Sequence, residues 1–340
     1  LHNAVKNSHD DLPIDIETIL CKVYSYFSRS AKLVENLKEY FDFVQYDFHV
    51  LLKHITTRWL SLLRSIERLL DQYEPVKLFF LNEGTSTKVQ QLLNSFFSND
   101  ESQCTLYFLQ NVLFEIQKAE LQLQRSYTTA VDLYSIVTKL IDKLQQKLCD
   151  KYYGHNTQLL LDRLKETNEI KTEELIKSFD AFVQSVIDYI KSYFDDHSEL
   201  YKKLSFFNVQ SFQFLTWRNV QDVVNLIHVN DLDRDQLYSE FNDIKCLYND
   251  LNKKSIKLND QIKSYILNQR MNSFTSKIND YIVVCDEDDA ENNEETISSP
   301  NNREENLIRS DHLWAYLLNI NPSGTPNLKK VICYIFSIPC

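Results

Sequence analysis

Glycine is almost missing from this chain. Gly84, Gly154 and Gly324 are the three found in 340 residues, where an average usage of about 7% would give roughly eight times as many. Sheet-rich folds need many tight turns with positive φ, and those turns draw on Gly and Asn. With so few glycines and only six prolines, a mainly α fold is expected. The three glycines are also far apart, so no Gly-rich loop can form around a phosphate. That removes the common nucleotide-binding loops.

At 43% hydrophobic residues the chain can bury a substantial core, as one large or two ordinary domains. The net charge of −11 is concentrated in one place: residues 285–306 hold nine acids and one base, a net of −8. The rest of the chain is close to neutral, which leaves room for a surface that faces nucleic acid. Seven cysteines are scattered from Cys21 to Cys340 without a Cys-x-x-Cys pair. That usage predicts reduced thiols and an intracellular setting. There is no signal-peptide pattern, and no run of about 18 apolar residues that would cross a bilayer.

Helical periodicity runs through most of the chain. Leu12-Pro13-Ile14-Asp15 opens a helix with Ile16, Ile19, Leu20, Val23, Tyr24 and Phe27 on one face. A second carries Leu33, Leu37, Tyr40, Phe41 and Val44, and a third is expected through Val50, Leu51 and Ile55. Next comes His54-Ile55-Thr56-Thr57-Arg58, followed by an apolar stripe of Trp59, Leu62, Leu63, Ile66, Leu69 and Leu70. Pro75 interrupts this pattern. Further helices are expected over 76–81, 86–97, 102–123 and 127–149, and after a polar stretch over 172–194. Residues 206–215 are aromatic and suit a strand or loop. Helices resume near Trp217 and over 233–248 and 250–270, with a continuation ending near Val284. Residues 286–306 hold too little apolar surface to offset the entropy of ordering, so a disordered acidic linker is expected there. Two helices follow, one over 311–318 and one that Asn327 would cap. The last is apolar on nearly every side, as a helix inside a larger domain is.

Several groups carry possible chemistry. Lys139, Lys143, Lys147 and Lys151 recur every four residues and form a basic ridge. The ridge either tracks a phosphate backbone or is a solvated helix face. Asp231, Asp233 and Asp235 imitate half of a calcium loop, but Gln236 and Asn242 stand where its glycine and glutamate belong, so no calcium site is expected. Asp195-Asp196-His197 is read as charge at a helix end, since neighbours on a helix diverge by about 100°. His2 and His9, seven apart, are read as ordinary surface or core histidines. No metal site and no cofactor are expected.

Three segments resemble the transposases of the hAT superfamily and host proteins derived from them. They are Leu1-His2-Asn3-Ala4-Val5-Lys6 with Leu12-Pro13-Ile14-Asp15; Thr57-Arg58-Trp59-Leu60-Ser61-Leu62; and Leu313-Trp314 with Pro326-Asn327-Leu328 and Phe336-Ser337-Ile338-Pro339. The resemblance implies the helical insertion of a split RNase H-like fold, followed by part of a C-terminal dimerisation region. It further implies that the three metal-binding acids of the family lie outside this chain, so no catalysis is expected. The domain organisation expected is a helical domain over 1–285, the linker over 286–306 and the dimerisation region over 307–340. DNA, a second copy of the chain and a nuclear location follow as expectations. In the family the Arg-Trp pair approaches DNA and the indole stacks on an unpaired base. Arg58 and Trp59 are therefore candidate DNA-contacting residues, with packing in the core as the alternative for Trp59. The reading from another class is a helical protein-interaction scaffold with no nucleic-acid role.

Overall fold

A computed structural model describes residues 1–54, 60–84, 87–125, 127–280, 308–321 and 324–338. Among the described residues the secondary structure is helical throughout, with no strand. The chain divides into two compact units. Leu1–Arg125 and Ser135–Asp196 form the first, and Ser126–Tyr134 with His197–Cys340 form the second.

The first unit contains α1 (His2–Asn7), α2 (Ile16–Ser28), α3 (Ala31–Val44), α4 (Leu60–Asp71), α5 (Tyr73–Asn82), α6 (Lys88–Ser98), α7 (Asp100–Leu123), most of α8 (Ala130–Asp150), α9 (His155–Thr167) and α10 (Glu169–Phe194). Their starts follow from local chemistry. Asp15 Oδ1 accepts the Thr18 N–H at 2.9 Å, and Thr87 and Gln90 form a capping box at α6. Pro75 sits in the first turn of α5, where its missing N–H costs no helical bond. The α4 stripe is buried as its spacing predicts, with Leu62, Leu63, Ile66, Leu69 and Leu70 inside. α4 packs along α7, and α7 along α9. An aromatic cluster fills the space between α2, α5 and α6. Phe80 stacks on Phe97 with centroids 5.2 Å apart, and Phe27 meets Phe79 edge-on at 5.0 Å.

Two stretches of this unit depart from the periodic reading. Residues 46–54 form no helix. α3 ends at Gln45 in the left-handed region (φ 60°), and the chain then runs back so that Phe48 meets Phe41 edge-on at 5.2 Å. Val50 and Leu51 belong to this non-helical run. The polar stretch after Gly154, conversely, is helical. α9 buries little beyond Thr157 and Leu161, too narrow a stripe for periodicity to reveal.

The second unit is built on α11 (Ser198–Leu204), α12 (Trp217–Ile227), α13 (Arg234–Asn252), α14 (Leu258–Asp280), α15 (Ser310–Ile320) and α16 (Pro326–Ser337). Residues 205–214 are neither strand nor open loop; they make two short 3₁₀ turns that point Phe207 and Phe212 inward. Trp314 is 1% exposed and lies at the centre. Its Nε1–H donates to the Phe207 carbonyl at 2.8 Å, and its ring meets Phe212 edge-on at 5.0 Å. The last helix does find its burial within the chain: Leu328, Val331, Ile332 and Ile335 belong to the same core as α13 and α15. Residues 308–321 and 324–338 thus pack with 197–280 rather than forming a body of their own. Thr325, not Asn327, precedes α16, with Pro326 at its first position. Glu240, 4% exposed, supplies the cap. Its carboxylate accepts the Leu328 N–H at 2.7 Å, the Asn327 N–H at 3.3 Å and the Asn327 side-chain amide at 3.1 Å.

Candidate functional site

Arg58 and Trp59, together with the acidic tract over 286–306, lie outside the described residues. α4 begins directly after Trp59. At its start, His54 is enclosed, with Nδ1 3.0 Å from Ser61 Oγ and Nε2 3.3 Å from Glu17 Oε1. This hydroxyl–imidazole–carboxylate chain ties the first turn of α4 to α2. Local spacing does not reveal it, because its members are 7 and 37 positions apart.

Lys139, Lys143 and Lys147 lie on α8, while Lys151 follows it in the left-handed region (φ 51°), and the row is largely engaged inside the first unit. Lys143 pairs with Glu115 at 2.5 Å and Lys151 with Asp180 at 2.6 Å. Lys147 donates to Asn111 Oδ1 at 2.5 Å, and its ammonium is held below the usual lysine range, chiefly by burial and further by Lys143, against the pull of Glu115. Lys139 is exposed. Three of the four lysines therefore have a neighbouring acceptor. The two ion pairs are solvent-exposed, a class worth about 0–1 kcal/mol each, so a phosphate can compete for those lysines.

Beside this ridge, α4, α7 and the start of α9 enclose a cleft of about 240 Å³. From α7 come Tyr107, Gln110, Asn111 and Phe114, spaced i, i+3, i+4, i+7 and so on one face. The opposite face of α7 is the apolar one, with Phe108, Leu109, Val112 and Leu113 buried. α4 contributes Glu67, and α9 contributes residues 154–157. Phe114 is 54% exposed although aromatic. Burial, then the nearby Asp71, raises the Glu67 carboxyl above the usual range, with Arg64 opposing. Burial also raises the Tyr107 hydroxyl, helped by Glu74.

Two details set the orientation of the cleft's polar groups. Lysine has only donors, so Lys147 fixes Asn111 with Oδ1 toward the ammonium and Nδ2–H₂ on the other side. That Nδ2 lies 2.7 Å from where a Cβ on Gly154 would sit. Gly154 also has φ +110°, a conformation that side chains rarely adopt. Gly154→Ala should therefore destabilise the protein by about 1–3 kcal/mol and push Asn111 off Lys147. A urea midpoint lowered at constant slope is the expected reading; an unchanged midpoint would contradict the close approach.

Other sequence candidates resolve into structural roles. Asp233 caps α13, accepting from the Asp235 and Gln236 N–H groups, while Lys330 bonds the Asn230 and Asp231 carbonyls. Asp195–His197 forms a 3₁₀ turn after α10, and His9 lies 3.0 Å from Asp15. Among the described residues no cluster of His, Cys, Asp or Glu is placed to hold a metal ion, and no helix is long and apolar enough to cross a membrane. The thiols differ sharply. Cys149, Cys246 and Cys333 are exposed, whereas Cys104 is buried and its thiol is pushed up to about 12 by burial, with Glu101 adding to the shift. Since the thiolate is the reactive form, iodoacetamide should modify Cys149, Cys246 and Cys333 in the native chain and reach Cys104 only in denaturant. Peptide mapping checks this, and native labelling of Cys104 would contradict the packing of α7. Compared with protein-family models, curated proteins and solved structures, the chain matches none.

Proposed function

We propose that this chain is a non-catalytic helical module that binds nucleic acid, with an unpaired base as the element it holds, and that it descends from the insertion of a hAT-like transposase. The observation that carries this reading is the cleft of the first unit. It sets a solvent-facing aromatic ring, Phe114, beside Tyr107 and side chains with free hydrogen-bonding capacity, next to the lysines of α8. Aromatic rings with nearby cations suit single strands, because every base has a π-face and every linkage a charge. Glu67 stands two turns along α4 from its start, and Arg58-Trp59 directly precede that helix. A nuclear location belongs to the same reading. For a second copy of the chain that uses residues 307–340, α16 offers the exposed Lys329, Lys330, Cys333 and Tyr334.

The test is the affinity of the full chain for a fluorescent single-stranded oligothymidylate across a salt series. Each phosphate contact contributes a slope of about −0.7 in log K against log salt. Binding that weakens steeply with salt is expected, and replacing Lys139 and Lys143 by alanine should flatten the slope by about one contact each.

The scaffold reading is favoured by a different observation. Tyr24, Phe27, Leu37, Phe48 and Val50 line an apolar cleft of about 320 Å³ in the same unit, and Val50 is 70% exposed there. No salt-dependent binding to any strand would leave this reading in place.

A further inference from the structure

The cleft between α4, α7 and the start of α9 offers more than a surface for stacking. Two of its side chains are of fixed and opposite kinds, while Gln110, His155 and Asn156 can serve either way. Glu67 offers acceptors only, with no hydrogen-bond partner of its own among the described residues. Asn111 offers a donor, because Lys147 occupies its oxygen. The N–H groups at the start of α9 add donors, since Gly154 has no side chain to cap them. Phe114 and Tyr107 supply the apolar walls. At about 240 Å³ the space falls below the roughly 300 Å³ at which drug-sized pockets begin, and so suits a single heterocycle.

We propose that this cleft recognises an unpaired guanine, with the Glu67 carboxylate accepting from N1–H and the N2 amine and the Asn111 amide donating to O6 or N7. The inference rests on the nucleic-acid reading above and adds the identity of the base. Guanine alone among the four DNA bases presents two adjacent donors on its pairing edge and two acceptors beside them. Adenine places an acceptor, N1, where the carboxylate would meet it. Cytosine has one amine donor next to an acceptor, and thymine has one N–H between two carbonyls. A guanidinium from a protein partner would satisfy Glu67 but has no acceptor for Asn111 or for the N–H groups of α9.

The experiment uses the full chain and four fluorescent nonamers of thymidylate whose central position is dG, dA, dC or deoxyinosine, at one fixed salt concentration. The dG strand should bind at least about tenfold more tightly than the dA strand, the scale of one good bidentate contact. The inosine strand, which lacks the N2 amine, should fall between them. Glu67→Gln should bring the dG strand down to the level of the dA strand, and Phe114→Ala should weaken all four. Thermal melting checks that both variants fold; a variant that does not is replaced by Glu67→Ser or Phe114→Leu. Equal affinity for the four strands, or a dG preference that survives Glu67→Gln, would overturn the guanine assignment and leave the nucleic-acid reading standing. Binding to none of the strands would overturn both. Binding of an arginine-rich peptide that Glu67→Gln abolishes, without a dG preference, would assign the cleft to a protein partner and overturn it as well.

Discussion

Trp314→Ala is expected to lower the stability of the second unit by about 3–5 kcal/mol, the range for removing a fully buried large aromatic side chain. The indole fills the centre of the core between Phe207 and Phe212, and its N–H satisfies the Phe207 carbonyl. Removing it leaves a cavity that the 3₁₀ turns on either side cannot close without moving Phe207 and Phe212. Trp314→Phe separates the two contributions. It retains most of the apolar volume but leaves a buried carbonyl without its donor, at about 1–3 kcal/mol. Chemical denaturation followed by far-ultraviolet circular dichroism reads both. A loss below about 1 kcal/mol for Trp314→Ala would mean that the core is not organised around this ring.

The second large effect is expected at Glu240. The carboxylate is 4% exposed and has no cationic partner among its described contacts. What it meets is the N-terminus of α16, where two backbone N–H groups and the Asn327 amide donate to it. Helix N-termini stabilise negative charge, by up to about 2 kcal/mol in partly buried settings. Glu240→Ala removes that charge and leaves the Leu328 N–H buried without an acceptor. The combined cost is expected at about 2–4 kcal/mol. Glu240→Gln retains one acceptor oxygen and should cost about half as much. Amide hydrogen exchange gives the discriminating signature: protection should fall first at the start of α16. If Glu240→Ala lost no protection there, the carboxylate would not be the cap of this helix.

These two residues also mark what could be read from the sequence. The helices themselves were legible wherever an apolar stripe is wide. α2 and α4 bury the residues that their spacing selects, Ile16, Ile19, Leu20, Val23 and Phe27 in one and Leu62 to Leu70 in the other. Local spacing fails where a side chain's partner is distant in the chain. Glu240 and Leu328 are 88 positions apart, and Phe207 and Trp314 are 107 apart. α9 escaped because its apolar face is too narrow, and residues 46–54 misled because α3 stops at Gln45 in the left-handed region, a stop that apolar spacing does not signal.

The candidate site was legible in part. The four-residue rhythm of the lysines was plain, but their engagement with Glu115, Asn111 and Asp180 depends on α7 and α10 lying alongside. The face formed by Tyr107, Gln110, Asn111 and Phe114 has regular helical spacing and could have been found by searching for a second, mixed stripe on α7. Glu67 and Gly154 could not, since only the packing of α4 and α9 against α7 brings them to that face.

The central claim is that a nucleic-acid strand lies in the cleft of the first unit. Photo-crosslinking the full chain to a single strand carrying 5-bromouracil, followed by peptide mapping, tests it most directly. Adducts on the α7 segment containing Tyr107 and Phe114, or at His155 and Asn156, are the predicted result. Adducts confined to the second unit, or no crosslink at low salt, would contradict it.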